Sequence, residues 1–100
     1  FNEDKSDLDM RLNHSKDLTA KDISNSYSET RLKKLFVKYG EERVAEIIAK
    51  NIYLERNNRP ILKGWQLKQV IGRSGPQYVK YKKNKHDSTN IFRALRIEVN

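Results

Sequence analysis

The chain has 100 residues, 36% of them hydrophobic and 34% charged, with no cysteine and a formal net charge of +8. That length holds one domain with a thin core, and the missing cysteines exclude a disulfide framework and a Cys-based zinc site. No apolar run approaches the roughly 20 residues of a membrane helix, and no charged-then-apolar leader opens the chain.

Residues 1 to 18 show neither helical nor strand periodicity and read as a connecting loop, anchored by protein outside this chain. Thr19 is placed to cap a short helix from Ala20, and Ser28 to cap a second. In that second helix Leu32, Leu35, Phe36 and Tyr39 fall at i, i+3, i+4 and i+7, one face, and Gly40 is expected to end it. The clearest helix runs from about Glu41 to Arg56, with acids in its first turn and an apolar stripe of Val44, Ile47, Ile48 and Ile52. Asn57 to Pro60 close it. A shorter helix spans Gly64 to Ile71 with Leu67, Val70 and Ile71 facing inward, and Gly72 to Pro76 breaks the pattern. Asp87 or Ser88 caps a last helix whose Phe92, Leu95 and Val99 share a face. Tyr78 to Tyr81 is the one strand-like run and is too short to count. The fold class expected is all-α, a small bundle of about five helices. With Phe1 in place of an initiator methionine and Asn100 falling in a helix, the chain reads as a piece of a longer polypeptide.

The positive charge is unevenly placed. From Lys63 to His86 there are seven bases (Lys63, Lys68, Arg73, Lys80, Lys82, Lys83, Lys85) and no acid, whereas residues 87 to 100 sum to zero. Such a concentration points to an anionic partner. Within it, Gln77 to His86 interleaves Tyr78 and Tyr81 with Lys80, Lys82, Lys83 and Lys85. Lysines neutralise phosphates and tyrosine rings stack on unpaired bases, so the segment reads as an RNA contact; the plainer alternative is a solvated lysine-rich loop. His14 and His86 lack the acid neighbours of a metal site, and none is expected. Trp65 is expected as a core or interface anchor, the usual roles of a lone tryptophan, with the core favoured. The Asp7, Asp9 and Arg11 group is either a catalytic constellation or a loop ion pair, and composition favours the pair. There is no Ser or Cys nucleophile elbow, and no GxGxxG or P-loop to hold a nucleotide cofactor. The residues alone leave open a stand-alone basic RNA-binding or ribosome-associated module, and a structural bundle that contacts other proteins.

Three segments carry a more specific resemblance: LDMRL at Leu8 to Leu12, KYGEERVAEIIAKNI at Lys38 to Ile52, and IFRALRIEVN at Ile91 to Asn100. In that order and spacing they resemble the ribosomal-RNA small-subunit methyltransferase H family, as do LTAKDISNSYSETRL and the RPI at Arg59 to Ile61. The resemblance implies an enzyme that transfers methyl from S-adenosylmethionine to N4 of a cytosine in small-subunit rRNA. It also implies a class I, Rossmann-like methyltransferase domain interrupted by a helical substrate-recognition insertion. Residues 1 to 18 would be the connecting segment, 19 to 86 the insertion with its basic loop at 73 to 86, and 87 to 100 the helix returning to the catalytic domain. S-adenosylmethionine would be held upstream of the matched residues and by none of them. Asp9 and Arg11 would border the active site, and Arg43 and Arg96 would contact phosphate or the domain interface; Arg43 has the alternative of pairing with Glu42 or Glu46. The implied partners are small-subunit rRNA or the ribosomal subunit and the catalytic domain, with no membrane, in the bacterial cytoplasm or an organelle. The chain departs from the family pattern at His86, Asp87 and Ser88, where His-Pro-Ala is usual, at Asn90 in place of a base, and at Lys63 in place of a capping threonine.

Overall fold

The computed structural model describes residues 7–15, 17–40, 42–72 and 87–100, with the side chains of residues 87 to 89 excepted. Among them are five helices and no strand: α1 (Ala20–Ser26), α2 (Glu29–Val37), α3 (Glu42–Asn58), α4 (Gly64–Gly72) and α5 (Asp87–Val99). The all-α expectation holds. The strand-like run at Tyr78 to Tyr81 and the GRSGP break lie outside the described residues.

Local chemistry accounts for the helix starts. The Thr19 hydroxyl accepts from the Asp22 amide at 3.2 Å while the Asp22 carboxylate accepts from the Thr19 amide at 3.0 Å, a reciprocal capping box. Ser28 caps α2 through the Arg31 amide at 3.1 Å. At α4 the side chain of Lys63 cannot accept, and Gln66 reaches back instead: its Oε1 takes the amides of Leu62 and Lys63, both at 2.9 Å. Helix α2 ends at Val37, before Gly40. The amides of Lys38 and Tyr39 fold onto the carbonyls of Leu35 and Phe36, a tightened last turn that needs no left-handed residue. Helix α5 already includes Asp87 and Ser88, so the position before it is not theirs.

Helix α3 is the axis of the bundle. It packs against α1, α2 and α4, and α5 closes against α1 and α2. Its buried stripe is Val44, Ala45, Ile48, Ala49 and Ile52, with Ile47 half-buried at the edge. The expected inward residues of α2 (Leu32, Leu35, Phe36), α4 (Leu67, Val70, Ile71) and α5 (Phe92, Leu95, Val99) are all buried; Tyr39 is half-buried against them. Each such side chain contributes on the order of 1.5–3 kcal/mol through removal from water.

The leading segment is more than a tether. Leu8 and Met10 are 2% and 7% exposed and belong to the same core as the helices. An isolated antiparallel bridge joins Asp7 to Lys63, and the Leu8 amide donates to the Leu62 carbonyl at 3.0 Å. The expectation of a loop anchored from outside is therefore corrected for residues 7 to 12: their anchor is this chain's own bundle.

Candidate functional site

A polar cluster forms on the LDMRL segment. Met10 adopts a φ of 65°, the left-handed region that a side chain with Cβ enters at a cost of about 1–2 kcal/mol. The Met10 side chain is buried in the core, and Asp9 and Arg11 on either side of it meet each other. Arg11 then grips Asp9 with a fork: Nε to Oδ1 at 2.7 Å and Nη2 to Oδ2 at 2.8 Å, with the Arg11 amide adding a third bond to Oδ1 at 3.0 Å. Nη1 donates to the His14 carbonyl at 3.2 Å. The Arg11 side chain, helped by its amide, lowers the Asp9 carboxyl from the usual 3.8 to about 2 against an opposing desolvation effect.

Behind this pair stands the start of α1, and its amides are accounted for. Ala20 donates to the Asp9 carbonyl at 2.9 Å, Lys21 to the Leu8 carbonyl at 2.6 Å, Asp22 to Thr19 Oγ1 and Ile23 to the Thr19 carbonyl at 3.1 Å. Together Asp7, Leu8, Asp9, Arg11, Thr19, Lys21 and Asp22 line a pocket of about 200 Å³. Lys63 forms an ion pair with Asp7 at one side and holds that carboxyl below its ordinary value. Thr19, Lys21 and Asp22 were not singled out as site residues from sequence, although the Thr19-x-x-Asp22 spacing is a legible cap signal that places them beside LDMRL.

The other expected site residues are scattered. Arg43 pairs with Glu46 on its own helix, Nη1 to Oε1 at 3.4 Å, as its simpler alternative had it. Glu46 also holds Lys33 of α2 at 3.2 Å and raises that ammonium's pKa. Arg96 is exposed in the last turn of α5, and its carbonyl accepts from the Asn100 side chain at 2.8 Å. His14 is exposed. Among the described residues no group of His, Cys, Asp and Glu is arranged to hold a metal, and no helix is long and apolar enough to cross a membrane. Arg73, Tyr78, Lys80, Tyr81, Lys82, Lys83, Lys85 and His86 lie outside the described residues.

Trp65 is not in the core, the place favoured for it. It is 43% exposed, in the first turn of α4. The inward stripe of that helix runs through Gly64, Leu67, Val70 and Ile71, and a residue one step after Gly64 is turned about 100° away from it.

Sequence comparison agrees with the resemblance of the three segments. The model of the MraW methylase family matches residues 1–100. The ribosomal RNA small subunit methyltransferase H of Spiroplasma kunkelii is 48% identical over 95 residues, covering 95% of this chain and 30% of that protein. Its namesake in Thermosipho melanesiensis is 44% identical over 100 residues, 100% of this chain and 33% of that protein. The Fusobacterium nucleatum namesake is 44% identical over 93 residues, 93% of this chain and 28% of that protein. The chain thus spans about a third of the length of these curated relatives, and with the family model matching from end to end, the chain belongs to the MraW methylase family.

Proposed function

We propose that this chain is the RNA-recognition part of an S-adenosylmethionine-dependent methyltransferase acting on N4 of a cytosine in small-subunit rRNA, in the cytoplasm. The observation that carries the reading is identity of 44–48% with proteins named ribosomal RNA small subunit methyltransferase H over 93–100% of the chain. In this reading residues 1 to 18 connect to the catalytic domain, residues 19 to 86 are a helical insertion, and residues 87 to 100 lead back. Support comes from how the two flanks meet: Asn100 bonds both Met10 and Leu12, so the way in and the way out lie side by side, as an insertion requires.

The LDMRL pocket is a poor fit for the cofactor. It is smaller than the roughly 300–1,000 Å³ of ordinary ligand pockets, its carboxylates are held by Arg11, Lys63 and the Thr19 amide, and the first amides of α1 donate to the carbonyls of Asp9, Leu8 and Thr19 and to the Thr19 hydroxyl. The reading assigns S-adenosylmethionine to the catalytic domain. What Asp9 and Arg11 bring is position. A carboxylate with a pKa of about 2 is ionised at neutral pH and is a weak proton acceptor, so Asp9 suits accepting a hydrogen bond from the cytosine amino group better than removing its proton. Arg11 fixes the carboxylate's orientation, and alignment of a weak nucleophile is the chief need of such a transfer.

The test is fluorescence anisotropy of a labelled small-subunit rRNA decoding-region hairpin, titrated with this chain over a salt series. Binding is expected to weaken steeply with salt. Replacing Lys80, Lys82, Lys83 and Lys85 together with alanine should lower the slope of log affinity against log salt by about 3 to 4. No binding at low salt would sink the RNA-recognition reading.

A further inference from the structure

We infer that Trp65 is a stacking platform for an unpaired RNA base; the inference rests on the RNA-recognition reading and names a contact within it. The outward face of α4 carries Trp65, Lys68 and Gln69 at i, i+3 and i+4, all exposed, with Gly72 a further turn along. Leu62, two residues before the helix, is 45% exposed as well. A tryptophan that a thin core leaves 43% exposed keeps a large flat apolar surface in water.

The electrostatic setting selects the occupant. Lys68 stands one turn from Trp65 on the same exposed face of α4, and in sequence both fall in the acid-free run from Lys63 to His86. Lys63 is itself paired with Asp7, and Glu55 of the neighbouring α3 is held by Arg59 at 3.3 Å. An aromatic face with a cation on the same helix face is an arrangement that single-stranded nucleic acid recognises, with the ring taking a base and Lys68 an adjoining phosphate. A fully paired duplex has its bases stacked internally and offers the ring nothing comparable.

The chain has a single tryptophan, so its intrinsic emission reports on this residue alone. The experiment titrates the chain with a fluorescently labelled, unstructured oligonucleotide of small-subunit rRNA sequence, following anisotropy and tryptophan emission together. The same sequence as a full duplex and inorganic polyphosphate serve as comparisons. The single strand is expected to quench the emission, and the duplex and polyphosphate to leave it nearly unchanged. Trp65→Ala should weaken single-strand binding about tenfold or more without changing the salt slope, and Trp65→Phe should keep most of the affinity. Circular dichroism confirms that both variants remain helical. If anisotropy shows binding while emission stays constant and Trp65→Ala binds as tightly, the platform is overturned and the RNA reading stands. If anisotropy shows no binding at low salt, the RNA reading fails and the platform fails with it.

Discussion

Asp9 is gripped by three donors of one residue two positions away, and its consequences are those of a fixed anion. Its folded pKa of about 2 lies below the ordinary 3.8, so the unfolded chain binds the proton first as pH falls. The pair therefore contributes stability that is complete above about pH 4 and is lost as pH falls toward 2. With both side chains partly exposed, the contribution is about 1 kcal/mol. Asp9→Asn should be less stable than the parent by about that amount at pH 7, and the difference should shrink as pH falls from about 4 through 2, as measured by urea denaturation across that range. A constant difference at every pH would mean that the asparagine acts through packing instead. The choice between catalytic constellation and ion pair turns here on backbone geometry that composition does not carry. Two residues of opposite charge at that spacing already share a side in an extended segment; what nothing in a methionine announces is the left-handed turn at Met10, across which the Arg11 amide also reaches Asp9 Oδ1.

At the level of helices, legibility follows periodicity. The stripes of α2, α4 and α5 repeat every three or four residues, and the inward residues read from them are the buried ones. Contacts between helices carry no such period. Arg56, in the last turn of α3, donates through Nη1 to the Ser24 carbonyl at 3.2 Å and to the Tyr27 carbonyl, and so caps the end of α1. Helix α1 has no base of its own in its last turn, and the guanidinium supplies the positive charge that its dipole favours there. Asn25 does similar work along the same helix: its amide oxygen accepts from the Ile61 amide at 2.9 Å, and its nitrogen donates to the Ile61 carbonyl at 2.8 Å. These partners lie 29 to 36 residues away in sequence, out of reach of any local pattern. Arg56→Met keeps most of the apolar stem and removes the donors, leaving two half-buried carbonyls short of a partner. The expected loss is about 2 kcal/mol in urea denaturation, and a loss under 0.5 kcal/mol would show that water replaces the guanidinium without penalty.

For the molecule as a whole, the two stretches that frame the bundle are joined to each other as well as to the core. Asn100 accepts from the Leu12 amide at 2.8 Å and donates to the carbonyls of Met10 at 3.0 Å and Arg96 at 2.8 Å. One side chain thereby ties the last turn of α5 to the LDMRL segment, across 88 and 90 residues of sequence. The same segment buries Leu8 and Met10 under the helices, so the Asp9 and Arg11 cluster takes its position from the bundle and its closure from Asn100. Irregular segments with two buried residues look like linkers in sequence because burial without a period leaves no pattern to read. Asn100→Ala removes all three side-chain bonds, each worth about 0.5–1.5 kcal/mol net, while leaving the core intact. Amide hydrogen exchange should then show the Leu12 amide losing its protection, whereas those of Ile48 and Leu67 keep theirs. The Leu8 amide, bonded to Leu62, should follow the core. Equal loss at Leu12 and Ile48 would mean that the clamp and the bundle open as one unit, and the LDMRL cluster could not then rearrange around a bound nucleotide without unfolding its scaffold.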